Sequence, residues 1–496
     1  MNFAQSVKMT TQTTRTENGA FAYNTTSNAI LDLFAQIGAL RPRSESEIAT
    51  KFASAFALDP KLATKMLFYA GNVRGGLGER RTFRICLKWL AENHPSIAVK
   101  NLANIAHFNR WDSIFVLVDT KAEVPMWDFV AETLNSDIQS FALARKSGHA
   151  TSISLLAKWM PTETASSPAT RKLAHKAMRG LGLTPRQYRK TLSTLREYLH
   201  VVERSMSKRE WGQISYAAVP SYAMKNYRKA FDKHDPIRFG NYKTSLVKGE
   251  TKINASTLYP YDLVAKYIGS RYYATNITPD TIIEEQWKAL PNYVTGENNF
   301  IVMADVSGSM AGRPMQTSVG LAAYFATKNA GPYHNLYMTF SSDPSFLEIR
   351  EGATLAEICG QVMGRGVGYS TNLNKAFDCV LTHAVRNRIR PADMPKAIVV
   401  VSDMEIDPYM RPGYNWDFVK TQRAKFNSYG YNLPKLVLFN VEARKDTFLT
   451  QSEDVIFVSG QSVSSFKNLC QSLSGKTAWD FMLEVLNDKM YDCVAI

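Results

Sequence analysis

FIVMADVSGSMAGRPM, residues 300 to 315, runs four apolar residues from Phe300 to Met303 into Asp305, Ser307 and Ser309, with Gly308 between the two hydroxyls. An apolar run of this length reads as a strand covered on both faces. In an open α/β sheet, ligands sit just beyond the carboxyl ends of such strands. Further runs follow at Leu336 to Phe340, Ala397 to Val401, Leu436 to Val441 and Val455 to Val458, alternating with helical segments. That rhythm predicts a mostly parallel sheet with helices on both faces.

The residues after the strands are therefore where chemistry is expected. Thr371 lies in the loop GVGYSTNL (366–373), and Asp403 ends the run of AIVVVSDMEID (397–407). Three separate segments thus bring only oxygen ligands, Asp305, Ser307, Ser309, Thr371 and Asp403, to one edge of one sheet. A hard divalent cation wants such ligands, and Mg2+ (or Mn2+) takes a few carboxylates or hydroxyls and keeps waters. Gly308 lets the backbone turn tightly so that both serine hydroxyls face one point. Two rival readings stand beside this one. The serines also suit capping of the helix around Met315 to Lys328. An aspartyl-phosphate phosphatase would place its nucleophile after such a strand, but the second carboxylate it needs two residues on is here Ser307, and no basic residue precedes Arg313 in the loop.

The chain has 496 residues, more than one hydrophobic core usually serves, so two domains are expected. Five scattered cysteines fit neither a disulfide framework nor a zinc site, which points to a reducing compartment. The N-terminus is polar and threonine-rich, and no run approaches the ~18 apolar residues of a membrane helix. A cytoplasmic protein without membrane attachment is expected. Net charge is +15, and all of it lies in one part: residues 1 to 300 hold 40 Lys and Arg against 25 Asp and Glu, whereas residues 301 to 496 hold 19 against 19. Residues 151 to 250 alone hold 19 basic and 7 acidic residues. Such asymmetry suggests a polyanion partner for one domain only, or a basic surface that merely keeps the protein in solution.

From about Ser44 to Lys288 the punctuation is helical. Asp59-Pro60, His94-Pro95 and Thr184-Pro185 each set a non-helical residue before a proline at the first helical position. Tyr188, Leu192, Leu195, Leu199 and Val202 form one apolar stripe. Similar stretches at Glu45 to Leu58, Lys61 to Tyr69, Glu79 to Glu92 and Ser96 to Ile105 predict stacked helical hairpins, although no clean repeat period is found. The texture changes around WKALPNYVTGENN (287–299), which places the boundary near residue 295: a basic α-helical domain over 1–295 and the sheet domain over 296–496.

Asp305-x-Ser307-x-Ser309, Thr371 and Asp403 resemble the metal-ion-dependent adhesion site of a von Willebrand factor A domain, a Rossmann-like fold. MLFYAGNVRGGLGERRTF (66–83), HFNRWDS (107–113), the segment from Leu183 to Phe231 and LPKLVLFNVEAR (433–444) resemble the Ro autoantigen family and its virus- and plant-encoded relatives. In that family a HEAT-like helical-repeat domain, called TROVE, curls into a ring ahead of an A domain. The resemblance covers about residues 15 to 475. It implies a ribonucleoprotein component that takes single-stranded RNA ends in a basic hole and structured RNA on its outer surface. One departure is Asn372, which follows Thr371 where relatives commonly carry Asp, and which removes a carboxylate near the site.

GGLGER (75–80) follows a helix and lacks a nucleotide-loop pattern, so it reads as an inter-helix turn whose Arg80 and Arg81 can still touch phosphate. The basic helix faces are better candidates for RNA: Lys172, Lys176 and Arg179 on one, and Arg186, Arg189, Lys190 and Arg196 on the next. Tyr222, Tyr227, Tyr272 and Tyr273 are either base-stacking rings or core residues. The eight histidines form no ligand cluster, His107 reads as a packing residue, and no catalytic set is evident. Two functions follow: a non-enzymatic protein that binds small non-coding or misfolded RNA through phosphate contacts, or an adaptor whose bound cation accepts an acidic side chain of a protein partner.

Overall fold

Ser44 caps the Glu45–Leu58 helix reciprocally with Glu47, and the helix buries Ile48, Phe52, Ala55 and Phe56, one stripe at helical spacing. Asp59 accepts from the Leu62 amide at 2.9 Å and Pro60 opens the next helix, Pro60–Gly71. In this computed structural model, residues 12–269, 277–296, 298–340, 342–364, 370–408, 417–453, 455–472 and 475–496 are described; Tyr272 and Tyr273 lie outside them.

Helices then succeed one another as far as Thr281–Lys288. Two details differ from the sequence expectation. The stretch Ser96 to Ile105 is divided into Pro95–Lys100 and Leu102–Phe108, because Asn101 turns its amide to the carbonyls of Ile97 and Ala495, both at 2.8 Å, and so offers the backbone a non-helical alternative. The apolar stripe from Tyr188 runs only through Leu195 within the helix Pro185–Tyr198; His200 then takes a left-handed conformation (φ 49°) and Val202 opens a separate helix, Val202–Ser207. The helical succession returns on itself, since Gly78, at φ 64°, lies so close to Tyr259 that a Cβ there would sit 1.8 Å from the phenol oxygen.

Two short antiparallel strands, β1 (Thr13–Arg15) and β2 (Phe21–Tyr23), precede the helices. The larger sheet has six strands, β3 (Phe300–Asp305), β4 (Leu336–Phe340), β5 (Ser345–Glu348), β6 (Ala397–Ser402), β7 (Lys435–Asn440) and β8 (Ile456–Ser459), in the order β5-β4-β3-β6-β7-β8. All neighbours are parallel except β4 and the edge strand β5. Chain direction across the sheet reverses between β3 and β6, which makes the carboxyl ends of those two strands the natural crevice for a ligand.

The strands are buried on both faces. Phe300, Val302 and Ala304 point into one cluster with the helix Arg313–Lys328; Ile301 and Met303 point into another with the helices Leu373–Arg386 and Phe418–Ser428. The first cluster does not stop at the sheet. It runs on through Phe34, Met66, Phe68 and Phe83 of the helical part, so the two parts share one core. Gly38 marks how close they come, for a Cβ on it would stand 2.7 Å from the Gly460 backbone after β8. The C-terminal tail joins the same seam, with Tyr491 receiving the Asn72 amide at 3.1 Å. Among the described residues no helix is long and apolar enough to cross a membrane.

Candidate functional site

Asp305 ends β3 and Asp403 follows β6, and both carboxylates are fully buried. The parallel register pairs Ala304 with Val401, so Asp305 stands beside Ser402, whose hydroxyl donates to Asp305 Oδ2 at 2.5 Å. Asp305 Oδ1 accepts from the Ser307 amide at 2.9 Å, which folds the loop back and sets the Ser307 and Ser309 hydroxyls 3.2 Å apart. Neither serine caps the following helix: its N-cap is Gly312, and no side chain bonds there. Thr371 is buried, and its carbonyl accepts from Asp407 at 3.0 Å, which ties its loop to the one leaving Asp403. Asn372 caps the helix Leu373–Arg386 by accepting from the Lys375 amide at 2.9 Å.

Two carboxylates in so dry a place demand a cation. Burial, and then the charge of Asp403, push the Asp305 carboxyl up to about 7, against the pull of hydrogen bonds from Ser307 and Ser402. The Arg444 guanidinium, just past β7, makes a close ion pair with Asp403 and also lies 3.6 Å from Glu17 and 3.9 Å from Glu442. Burial works against the Arg444 charge, but Asp403, Glu17 and Glu442 outweigh it and raise its pKa. The β1–β2 turn closes over this loop: Thr16 donates to the Ile406 carbonyl at 2.7 Å and the Glu17 amide to Glu405 at 2.5 Å.

The donor set therefore fits a hard divalent ion, with Arg444 holding the place of a counter-charge on Asp403. Among the described residues no three His, Cys, Asp or Glu side chains gather to hold a metal, so such a site depends on the hydroxyls of Ser307, Ser309 and Thr371. Sequence reasoning missed Ser402, Arg444 and Glu17. Ser402 and Arg444 had a signal, since each sits at the carboxyl end of a strand neighbouring β3 or β6. Glu17 had none, because its place depends on a turn 388 residues away from Glu405 in sequence.

The basic candidates divide by what they touch. Lys172, Arg179, Arg186 and Lys190 are exposed. Lys176 is paired with Asp119 and Arg189 with Glu163. Arg196 spends its guanidinium on the carbonyls of Ala157 and Met160, both at 2.8 Å, and Arg81 bonds the Arg43 carbonyl at 2.8 Å. Tyr227 is half-buried and donates to Glu203 at 3.2 Å, and the His107 ring packs edge-on to Phe108. All five cysteines are free thiols.

Residues 299–480 match a domain of unknown function, DUF7788, and residues 16–112 and 166–297 match another, DUF2828. An uncharacterized protein of Acanthamoeba polyphaga mimivirus is 29% identical over 497 residues, which cover 91% of this chain and 83% of that protein. Among solved structures, the crystal structure of the Deinococcus radiodurans RO (RSR) protein aligns over 95% of this chain and 96% of its own, at 13% identity and a TM-score of 0.41.

Proposed function

We propose that the chain is a Ro-like, non-enzymatic RNA-binding protein of the cytoplasm. In this reading the helical part is a TROVE-type ring that holds small or misfolded RNA by its phosphates. The sheet part is a von Willebrand factor A domain whose Asp305, Ser307, Ser309, Thr371 and Asp403 hold Mg2+ or Mn2+. The observation that carries the RNA assignment is the charge partition: the +15 excess belongs wholly to the first 300 residues, and the remainder is neutral. A polyanion bound by lysines and arginines releases condensed counterions, so affinity falls as salt rises. The test is an anisotropy titration of the full chain with labelled single-stranded RNA, beside poly-glutamate of equal charge. RNA should bind well ahead of the acidic polypeptide; equal binding of the two would sink the reading.

A second reading, a cation-dependent adaptor for an acidic protein partner, is favoured by the oxygen cluster lying on the neutral part. A bound Mg2+ would supply an open coordination position for a carboxylate. Uptake of the ion requires Asp403 to exchange Arg444 for the metal, with Glu17 and Glu442 at hand to receive the guanidinium. The two readings use different surfaces and are compatible.

A further inference from the structure

Two stretches far apart in sequence, the start of the Arg80–Asn93 helix and HFNRWDS, meet on one carboxylate. Asp112 Oδ2 receives Arg80 Nη2 at 3.3 Å and Arg84 Nη2 at 2.8 Å; Arg110 donates from Nε to Oδ1 at 3.0 Å and makes a closer contact with Oδ2. Three guanidiniums against one carboxylate leave two positive charges in a half-buried place. Arg80 shows the strain of this: burial first, then the charge of Arg110, depress its pKa, with Asp112 pulling the other way. Its Nε is buried and has no acceptor.

The cluster is held rather than mobile. Arg80 and Arg84 stand one helical turn apart. Arg84 Nε donates to Ser113 Oγ at 3.3 Å, Ser113 to Asn109 at 3.1 Å, and Asn109 to the Gly71 carbonyl at 2.9 Å. Arg110 sits over Trp159, its Cζ 4.0 Å from the ring centre. Surplus charge that only needed solvation would do better on free side chains; guanidiniums oriented at a common point suit a ligand whose oxygens take several N–H groups together.

We propose that Arg80, Arg84 and Arg110 form a seat for one phosphodiester group of a single RNA strand. The inference rests on the RNA-binding reading and gives it a specific place. Phosphate offers the paired oxygens that guanidinium forks match. Tyr222, 37% exposed, has its hydroxyl fixed on Asp262 at 2.5 Å and its ring under the Lys225 ammonium, 4.9 Å from the ring centre, so it is not counted in the seat. Arg81, bonded to the Arg43 carbonyl, is not part of it.

The test uses the full chain and labelled single-stranded RNA over a salt series. Arg80→Gln leaves Asp112 its two nearer partners, and should weaken binding about tenfold, the scale of one charge-assisted hydrogen bond. It should also flatten the slope of log affinity against log salt by about 0.7. Asp112→Asn removes the internal competitor and should tighten binding, an opposite sign that a purely structural carboxylate would not give. Melting curves confirm that each variant is folded, and Arg84→Gln replaces any that is not. If wild type binds RNA and the folded variants bind it equally, the seat is overturned while the RNA reading stands. If wild type binds no RNA, the RNA reading falls, and inorganic pyrophosphate decides the seat. Thermal stabilisation of wild type but not of Arg80→Gln would mean a seat for free phosphate compounds, and equal response of both would remove it.

Discussion

The two carboxylates of the candidate site in the sheet part, Asp305 and Asp403, are buried and converge on one point, whereas the basic candidates of the helical part are mostly exposed and spread over several faces. Asp305 and Asp403 are placed by the register of two parallel strands, so their approach is fixed once the sheet forms. Lys172 and Arg186 are placed only by the helices that carry them, and their neighbours Lys176, Arg189 and Arg196 are drawn off by acids and carbonyls on other elements. A site made by backbone register tolerates little; a surface made by long side chains tolerates much.

Arg444→Gln removes the charge that faces Asp403 and leaves two carboxylates buried together. Metal-free stability should fall by about 3–5 kcal/mol, the usual cost of breaking a buried ion pair from one side. Mn2+ should restore most of it and bind more tightly than to wild type, as calorimetry would show. A variant as stable as wild type without metal would mean that Arg444 is no counter-ion at all.

Asp305→Asn should abolish stabilisation by Mn2+, which for wild type amounts to about 2.7 kcal/mol at one hundred times the dissociation constant. The pH dependence has a definite sign. With its pKa raised to about 7, a protonated Asp305 favours the metal-free fold at low pH, and that contribution is lost as pH rises through about 7. The ion needs the ionised form, so its stabilising effect should grow from about pH 6 to about pH 8 in wild type and stay absent in the variant.

Gly38→Ala presses a methyl group against Gly460, where the helical part and the sheet part share their core. A loss of about 1–3 kcal/mol is expected, with one melting transition for the entire chain. Two separate transitions in wild type would break the shared-core account and make the comparison one of independent domains. The smallest effect should come from the exposed face: replacing Arg186 and Lys190 with alanine should flatten the RNA salt slope by about 1.4 with no change in melting, since each phosphate contact carries about 0.7 on single strands.

The same contrast explains what the sequence discloses. The five apolar runs all mark strands, because a strand buried on both faces must be apolar throughout. The edge strand Ser345–Glu348 escapes notice since it is short and half-exposed. Asp305, Ser307, Ser309 and Asp403 are legible because they follow such runs; Glu17 is not, since only the fold of the β1–β2 turn brings it to Arg444. In the helical part, capping residues mark some helix starts, as at Ser44, Asp59 and Thr184, but helices such as Glu123–Ser147 and Ser221–His234 begin without a side-chain cap. Which cations are spent within the protein cannot be read from spacing: Arg186 and Arg196 share a helix, yet only Arg196 is bonded to the carbonyls of its neighbours.

The division of labour itself is tested by one anisotropy experiment, with labelled single-stranded RNA titrated over a salt series against full-length wild type and full-length Asp305→Asn. Equal affinities and the same steep loss with salt are expected for both proteins, because the phosphates meet the helical part and the variant touches only the cation site. Loss of RNA binding in Asp305→Asn alone, with its fold intact by melting, would put the RNA on the sheet part and contradict the account.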